Sequence, residues 1–280
     1  MEARSQMLTL IRCPNCRSQL ECAVSGALLT CACGTNFKIE NDVVEYSDAK
    51  ALSKVAEVGA RDRQASGYLQ HAKFPTQISR VKKYLAALPP VIWQKPVIEV
   101  ACGPGPYTGF LLEAGFDVIA VDFSECSLRI NRDANIGHLS RACFVKADIN
   151  ELQMAEDCSN LLLMCDFLQH IDGHNARFAF MRKAFEWLAP GGVFYLSFFN
   201  FNIVNFLKSD LRGTFAGGAI PYERLICRDV LHALPSDVSV DAVTPMNIFQ
   251  SASPDRLVAR LPGATFLSRM VAISGRKLRS

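Results

Sequence analysis

The chain lacks any apolar run long enough for a membrane helix, carries few charges and has only two tryptophans. Its best candidate run, Gly192 to Phe206, is interrupted by Ser197, Asn200, Asn202 and Asn205, whereas a helical span needs roughly 18 continuous apolar residues. No membrane partner is therefore expected. Charged residues fill only 20% of the 280 positions and hydrophobic ones 50%, a balance that excludes a largely disordered chain. The opening stretch, MEARSQMLTLIRCPNC, has no signal-peptide apolar region or cleavage site. A cytoplasmic location is the expectation, and in that reducing setting the 11 cysteines serve as thiols or metal ligands rather than disulfides.

What is present is unevenly distributed. Five cysteines (Cys13, Cys16, Cys22, Cys31, Cys33) fall in the first 33 residues. Residues 1–49 carry 4 basic and 6 acidic side chains, residues 50–95 carry 9 and 2, and residues 96–280 carry 17 and 19. The net charge of +3 is thus −2, +7 and −2 in turn.

Three parts follow from these shifts. Residues 1–49 read as a small β-rich module, with LTLIR, ALLT and FKIE as short strands and the cysteine pairs at the turns. Residues 50–95 read as a basic helical lid or linker. There Phe74-Pro75 opens a second helix, Ile78, Val81, Tyr84, Leu85 and Leu88 recur at helical spacing, and Pro89-Pro90 ends it. Residues 96–280 alternate strand and helix. The runs PVIEVA, FDVIAVDF, ACFVKAD, SNLLLMC and GVFYLSF are continuous and apolar, which indicates a mainly parallel sheet covered on both faces. A helix is expected from Asn175 to Leu188, an irregular aromatic insert over 199–222, and another helix from Glu223 to Leu234.

The first strand-to-helix turn, Val97 to Tyr107, contains Gly103 and Gly105. Glycines at such a turn let the backbone bend sharply and approach a ligand. Asp122 ends the next strand, 19 residues after Gly103, where an acid accepts hydrogen bonds from ribose hydroxyls. NAD and S-adenosylmethionine both fit this pair of features. The dinucleotide fingerprint, however, wants a third glycine where Thr108 stands.

The same residues resemble class I S-adenosylmethionine-dependent methyltransferases. Glu99 to Gly105 matches the first motif, with Ala101 in place of its first glycine. Asp122-Phe123 matches the second and Ala147-Asp148-Ile149 the third. Asn160 to Ile171 resembles the fourth, with Asn160 replacing an aspartate, and Leu188 to Gly192 is the turn into the fifth strand. The resemblance implies a Rossmann-like α/β fold with a seven-stranded, mainly parallel sheet. It also implies cofactor contacts from Glu99, Ala101, Gly103, Gly105, Asp122, Phe123, Asp148, Ile149, Cys165 and Asp166. Asp148 would meet the adenine amino group and Asp166 the methionine end.

His170, after the fourth strand, is the candidate catalytic residue. An ordinary pKa of about 6.5 suits a general base near neutrality, and the alternative is a structural histidine bonded to a neighbouring loop. Tyr68, Phe199 and Tyr222 are candidate substrate residues. Six of the 18 phenylalanines lie between Phe194 and Phe215, and apolar pockets with a few polar groups are typical small-molecule sites. Packing of the cap or of a dimer interface is the competing use of those rings.

Cys13-Pro-Asn-Cys16 and Cys31-Ala-Cys33 read as a four-cysteine structural zinc site, with Cys22 a spare thiol. Residues 8–46 resemble a Trm112-like zinc ribbon, which implies a structural or partner-binding module. A ribbon followed by a methyltransferase also resembles ribosomal-RNA guanine methyltransferases. An RNA-reading ribbon should be basic, though, and this one is net −2. A small, largely apolar or aromatic metabolite is therefore the favoured acceptor and RNA the second. A non-catalytic cofactor-binding scaffold acting through the ribbon is the third reading. A homodimer is compatible with all three.

Overall fold

Continuous apolar strands and amphipathic helices produce a single long sheet. The computed structural model describes residues 2–23, 26–47, 52–68, 75–247 and 263–279; Phe74 lies outside them. The chain runs α1 (Glu2–Leu8), β1 (Ile11–Arg12), β2 (Glu21–Cys22), β3 (Leu28–Thr30), β4 (Asn36–Glu40), β5 (Val43–Glu45), α2 (Leu52–Tyr68) and α3 (Pro75–Ala86). It continues through β6 (Val97–Val100), α4 (Thr108–Glu113), β7 (Val118–Asp122), α5 (Glu125–Ala134), β8 (Ala142–Lys146), β9 (Gln153–Met154) and β10 (Ser159–Cys165). It closes with α6 (His174–Glu186), β11 (Leu188–Phe199), α7 (Ile203–Leu207), β12 (Arg212–Phe215), β13 (Ile220–Glu223), α8 (Cys227–His232), β14 (Val238–Met246) and β15 (Met270–Lys277).

Seven strands, in the order β8-β7-β6-β10-β11-β15-β14, form the expected Rossmann-like sheet. The first five of that order pair in parallel; β15 is antiparallel to β11, and β14, antiparallel to β15, runs in the same direction as the first five. The order reverses at β6, so the crevice above β6, β7 and β10 is a natural ligand site. Side chains alternate between two cores. Ile98, Val100, Ile119 and Val121 face α6 and Trp187. Val97, Val118, Ala120 and Phe144 face α3, α4 and Leu128 of α5. This period-2 division is what strands covered on both faces require.

The sheet does not stop at seven strands. The amino-terminal module adds four more, in the order β5-β4-β3-β2, to give an 11-stranded sheet. β5 pairs in parallel with β8, with Val43 opposite Phe144 and Glu45 opposite Lys146. Without β5, β8 would be an edge of unpaired backbone groups. The module is therefore continuous with the sheet, instead of lying beside it.

Local expectations need four corrections. Leu8 closes a helix, so LTLIR contributes only the two residues of β1. Leu188 to Gly192 is already strand rather than a preceding turn, because β11 pairs with β10 from Ser159 and Leu188 onward. Glu223 belongs to β13, and the following helix is only Cys227–His232. The insert is ordered into α7 and the antiparallel β12–β13 hairpin.

Tyr46 fastens the module to the rest. Its ring stacks on Phe37 at 5.0 Å. Its hydroxyl donates to the Arg12 carbonyl at 2.9 Å and accepts from the Gln153 N–H at 3.2 Å. Tyr46→Phe keeps the stacking but removes both hydroxyl bonds. We expect a loss of about 1–3 kcal/mol in urea unfolding, and an unchanged midpoint would show that these bonds contribute nothing.

Candidate functional site

A cleft of about 620 Å³, its open mouth included, lies at the carboxyl ends of β6, β7 and β10. It brings together seven of the residues singled out by motif: Ala101, Gly103, Asp122, Phe123, Cys165, Asp166 and His170. Arg61, Gln64, Ala65, Pro104, Ser127 and Phe167 complete the wall. Pro104 and Phe167 lie within the first and fourth motif spans, whereas Arg61, Gln64, Ala65 and Ser127 lie in no motif. The one signal for Arg61 is its place in the basic stretch, because α2 folds back over the cleft.

Asp122 shapes the loop. Its carboxylate accepts from the Gly103 and Ser124 N–H groups, both at 2.8 Å. Burial pushes its pKa up, opposed by those same backbone bonds. Two non-glycine residues of the wall, Ala101 and Asp166, have φ of 53° and 55°. Left-handed backbone at such residues costs roughly 1–3 kcal/mol each and clusters at ligand sites. Asp166 is held in place by Ser197, whose hydroxyl donates to its carboxylate at 2.6 Å.

A buried polar chain supports the loop from below. The Asn135 amide donates to Asn131, Asn131 donates to the Thr108 hydroxyl at 2.8 Å, and Thr108 donates to Glu99 at 2.6 Å. Thr108 thus uses its hydroxyl where the dinucleotide fingerprint has a glycine. Gly105 packs so closely on Asn131 that a Cβ there would overlap the Asn131 amide. Glu99 and Gly105 accordingly lie beneath the cleft and do not line it. The second carboxylate oxygen of Glu99 is buried without a partner, and burial raises the group to about 8.

Asp148 and Ile149 also fall outside the lining. Asp148 is ion-paired with Lys54 of α2, accepts from the Asn150 N–H at 3.0 Å, and gives its own N–H to the Ser47 hydroxyl at 2.8 Å. A further bond ties α2 to the β7 tip: the Ser124 hydroxyl donates to Asp62 at 2.5 Å. Tyr68 is the last residue of α2, and its side chain lies outside the described residues.

His170 ends a single 3-10 turn, Leu168–His170. Its Nδ1 lies 2.8 Å from the Pro221 carbonyl. A carbonyl only accepts, so Nδ1 carries the proton and Nε2 presents a lone pair. Burial, aided by Arg61, pushes the imidazole down to about 3, so it is neutral at physiological pH. Arg177 fixes this turn by donating to the Leu168 and Ile171 carbonyls at 3.1 and 2.9 Å, and it faces Glu223 at 3.8 Å. Beside His170 stands a ring cluster: Phe199 meets Tyr222 edge-on at 5.4 Å, and Phe215 stacks on Tyr222 at 4.6 Å. Phe199 lies 6.5 Å from the imidazole.

The Sγ atoms of Cys13, Cys16, Cys31 and Cys33 all lie within 4.8 Å of one another. Zinc–thiolate bonds of about 2.3 Å in a tetrahedron place sulfurs roughly 3.8 Å apart. The spacings of 3.6 Å (Cys13–Cys33), 3.3 Å (Cys16–Cys31) and 3.4 Å (Cys31–Cys33) are close to that geometry. Hydrogen bonds from Thr35 lower the Cys33 thiol to about 6. Cys22 stands exposed on β2 and is not one of the four.

Residues 97–192 match the family model described as a methyltransferase domain. The chain is 30% identical over 127 residues to the trans-aconitate 2-methyltransferase of Delftia acidovorans, covering 44% of this chain and 45% of that protein. It is 24% identical over 163 residues to the ubiquinone biosynthesis O-methyltransferase of Bordetella avium, covering 57% and 65%. It therefore spans less than two thirds of either relative. Among solved structures it resembles the CcbJ methyltransferase of Streptomyces caelestis, with a TM-score of 0.59 and 18% identity over 79% of this chain and 99% of that one. The fold is the Rossmann-like fold of methyltransferases.

The position of Glu99 has a consequence for stability. Its folded pKa of about 8 lies above the ordinary value of 4.5. Below 4.5 both states hold the proton and nothing is lost. Between 4.5 and 8 the unfolded chain ionises while the folded one resists, so stability falls as pH rises through that window. Thermal melting from pH 5 to 8 should drop more steeply for the wild type than for Glu99→Gln; parallel curves would refute the assignment.

Proposed function

We propose that this chain is an S-adenosylmethionine-dependent methyltransferase acting on a small, largely apolar or aromatic acceptor, with a structural zinc ion in its amino-terminal module. The observation that carries the reading is the adjoining pair of sites: a cleft built on Gly103 and Asp122, and the Phe199–Phe215–Tyr222 cluster beside His170. The residues fit the cofactor. Gly103 leaves open space where a side chain would stand, and Asp122 keeps free lone pairs after binding two backbone N–H groups.

When bound, S-adenosylmethionine supplies an activated methyl group. The protein's own part is positioning. Asp122 takes the ribose hydroxyls, while Asp166 and Arg61 offer opposite charges to the amino-acid end. The ring cluster lends an apolar surface to the acceptor. His170 turns Nε2 toward the cleft as a hydrogen-bond acceptor for the acceptor's hydroxyl or amine. An imidazole held near 3 is too weak a base to keep a proton at neutral pH, so orientation is the role its environment favours.

Several basic residues of α2 and α3 are engaged by the protein itself. Lys54 pairs with Asp148, Arg61 faces Glu57 at 3.3 Å, and Lys82 lies over Phe110 at 5.5 Å. That use favours a metabolite over RNA. In the zinc module four thiolates close the shell, so the ion has a folding role and no open position for chemistry.

Calorimetry tests the cofactor site. The wild type should bind S-adenosylmethionine, and Asp122→Ala, if still folded by circular dichroism, should bind about tenfold or more weakly. No binding by the wild type, or equal binding by the variant, would refute the reading. Methyl transfer to a metabolite extract and to total RNA, run in parallel, separates the acceptors: labelled RNA with an unlabelled extract would overturn the preference.

Metal analysis of the purified chain should give about one zinc per chain, the number that four cysteine ligands can hold. Cys31→Ser should lose it, and a wild-type value near zero would remove zinc from the proposal.

A further inference from the structure

Helix α2 covers the cleft with a charged face. Lys54, Glu57, Val58, Arg61, Asp62 and Ala65 recur at spacings of 3, 1, 3, 1 and 3, which puts them on one side of a helix. Four of these six side chains are charged. Arg61, Gln64 and Ala65 form part of the cleft wall. Among the described side chains of α2 only Glu57, Ala60 and Ala65 are buried, while Val55 is 53% exposed. Little apolar area among these side chains holds the helix down, and an element so held opens more readily than a core helix. Its position depends on polar contacts.

Two of those contacts meet fixed points of the sheet. Near the start of α2, Lys54 forms an ion pair with Asp148. Further along, the Ser124 hydroxyl donates to Asp62 at 2.5 Å. Between them, Glu57 and Arg61 pair with each other at 3.3 Å, and both lie within electrostatic reach of Asp122. Asp148 is a rigid post. Its carboxylate accepts from the Asn150 N–H at 3.0 Å and the Asn150 amide at 3.1 Å, and its own N–H is held by Ser47. Lys183 of α6 approaches Asp148 as well, but its ammonium donates to the Ile149 and Asn150 carbonyls, at 3.0 and 2.8 Å. Lys54 is thus the cation that joins this post to α2. We propose that Lys54 is a positioning residue: through Asp148 it sets α2 across the cleft and so governs how long a ligand stays there.

Arg61 follows Lys54 by two helical turns, or about 10 Å, so a tilt released at Asp148 is carried to the cleft wall. Arg61 there neighbours both Asp122 and His170. Asp148 would be a cofactor contact by its motif, but its carboxylate is committed to Lys54 and Asn150. The acid acts on the cleft from outside it, through the helix. The Asp148 side chain is only 11% exposed. Removing Lys54 therefore leaves a carboxylate with reduced solvation, and salt screens the pair only in part. The identity of the ligand rests on the S-adenosylmethionine reading, whereas the docking of α2 does not.

Hydrogen exchange of the free full chain tests the docking. Lys54→Met should speed exchange of the α2 amides about fivefold, with α5 and α6 unchanged, and Lys54→Arg should restore most of the protection. Asp148→Asn, which keeps an acceptor for the Asn150 N–H, should match Lys54→Met, and the double variant should add nothing further. Surface plasmon resonance with S-adenosylmethionine supplies the second arm: Lys54→Met should speed dissociation by a similar factor and leave association near its wild-type rate. Unchanged α2 exchange in either single variant, no restoration by arginine, additive effects in the double variant, or faster exchange throughout the chain would overturn the proposal. So would unchanged dissociation where the wild type binds. A wild type that binds no S-adenosylmethionine refutes the cofactor reading instead, and the exchange rates then decide the docking alone.

Discussion

The parallel pairing of β5 with β8 is the contact on which the rest of this molecule turns. It removes an exposed sheet edge, and it sets the amino-terminal cysteine module at a fixed register against the methyltransferase-like sheet. The same junction carries the chain from Tyr46 to Ser47 across the end of β8. The N–H groups of both residues donate to the Lys146 carbonyl, at 3.0 and 3.2 Å. The next bond is from the Asp148 N–H to the Ser47 hydroxyl. A module that reads as an appendage therefore reaches the residues beside the cleft through two backbone bonds and one serine hydroxyl. Anything that orders the four cysteines also orders that tip of the sheet.

The cleft itself is held by two kinds of force with opposite costs. Below the loop, the chain from Asn135 to Glu99 is nearly satisfied, and only one carboxylate oxygen has no partner. Above it, Ala101 and Asp166 adopt left-handed backbone that neither side chain favours. The buried network fixes Thr108 and Asn131 rigidly enough to hold the strained turn, and Asp122 pins the loop from the other side through Gly103. The positive-φ positions point the β6 and β10 tips into the same cavity, which is where a ligand would gain from a prearranged surface.

Much of this was legible in the sequence, and the illegible parts share a cause. Val97 to Gly105 and Asp122 were readable because an apolar strand, a glycine turn and a following acid are local patterns. The four cysteines were readable because their spacing is local too. The pairing of β5 with β8 was not, since the short run Val43-Val44 is equally suited to a ribbon strand and to a sheet extension. The roof was not legible either. Lys54 and Asp148 are 94 positions apart, and Arg61 belongs to a charge run whose ordinary use is a solvated face. The insert was readable as aromatic but not as ordered, because its hairpin depends on pairings such as Gly213 with Tyr222 that leave no period in so short a stretch.

The insert also explains how one histidine becomes committed to one tautomer. Pro221 lies on β13, and its carbonyl fixes the proton on Nδ1 of His170. The same hairpin presents Tyr222 to Phe199 and Phe215, and Glu223 to Arg177. Arg177 in turn holds the carbonyls on either side of His170. Three successive residues of one strand thus set the imidazole's proton, the aromatic wall beside it and the guanidinium clamp behind it. The hairpin is fixed first by its register with β12, so the geometry around Nε2 follows from strand pairing and not from any contact of His170 alone. A change in the hairpin would therefore alter the histidine's tautomer and the aromatic wall beside it together, which makes this strand the place where proton placement and ring packing are coupled.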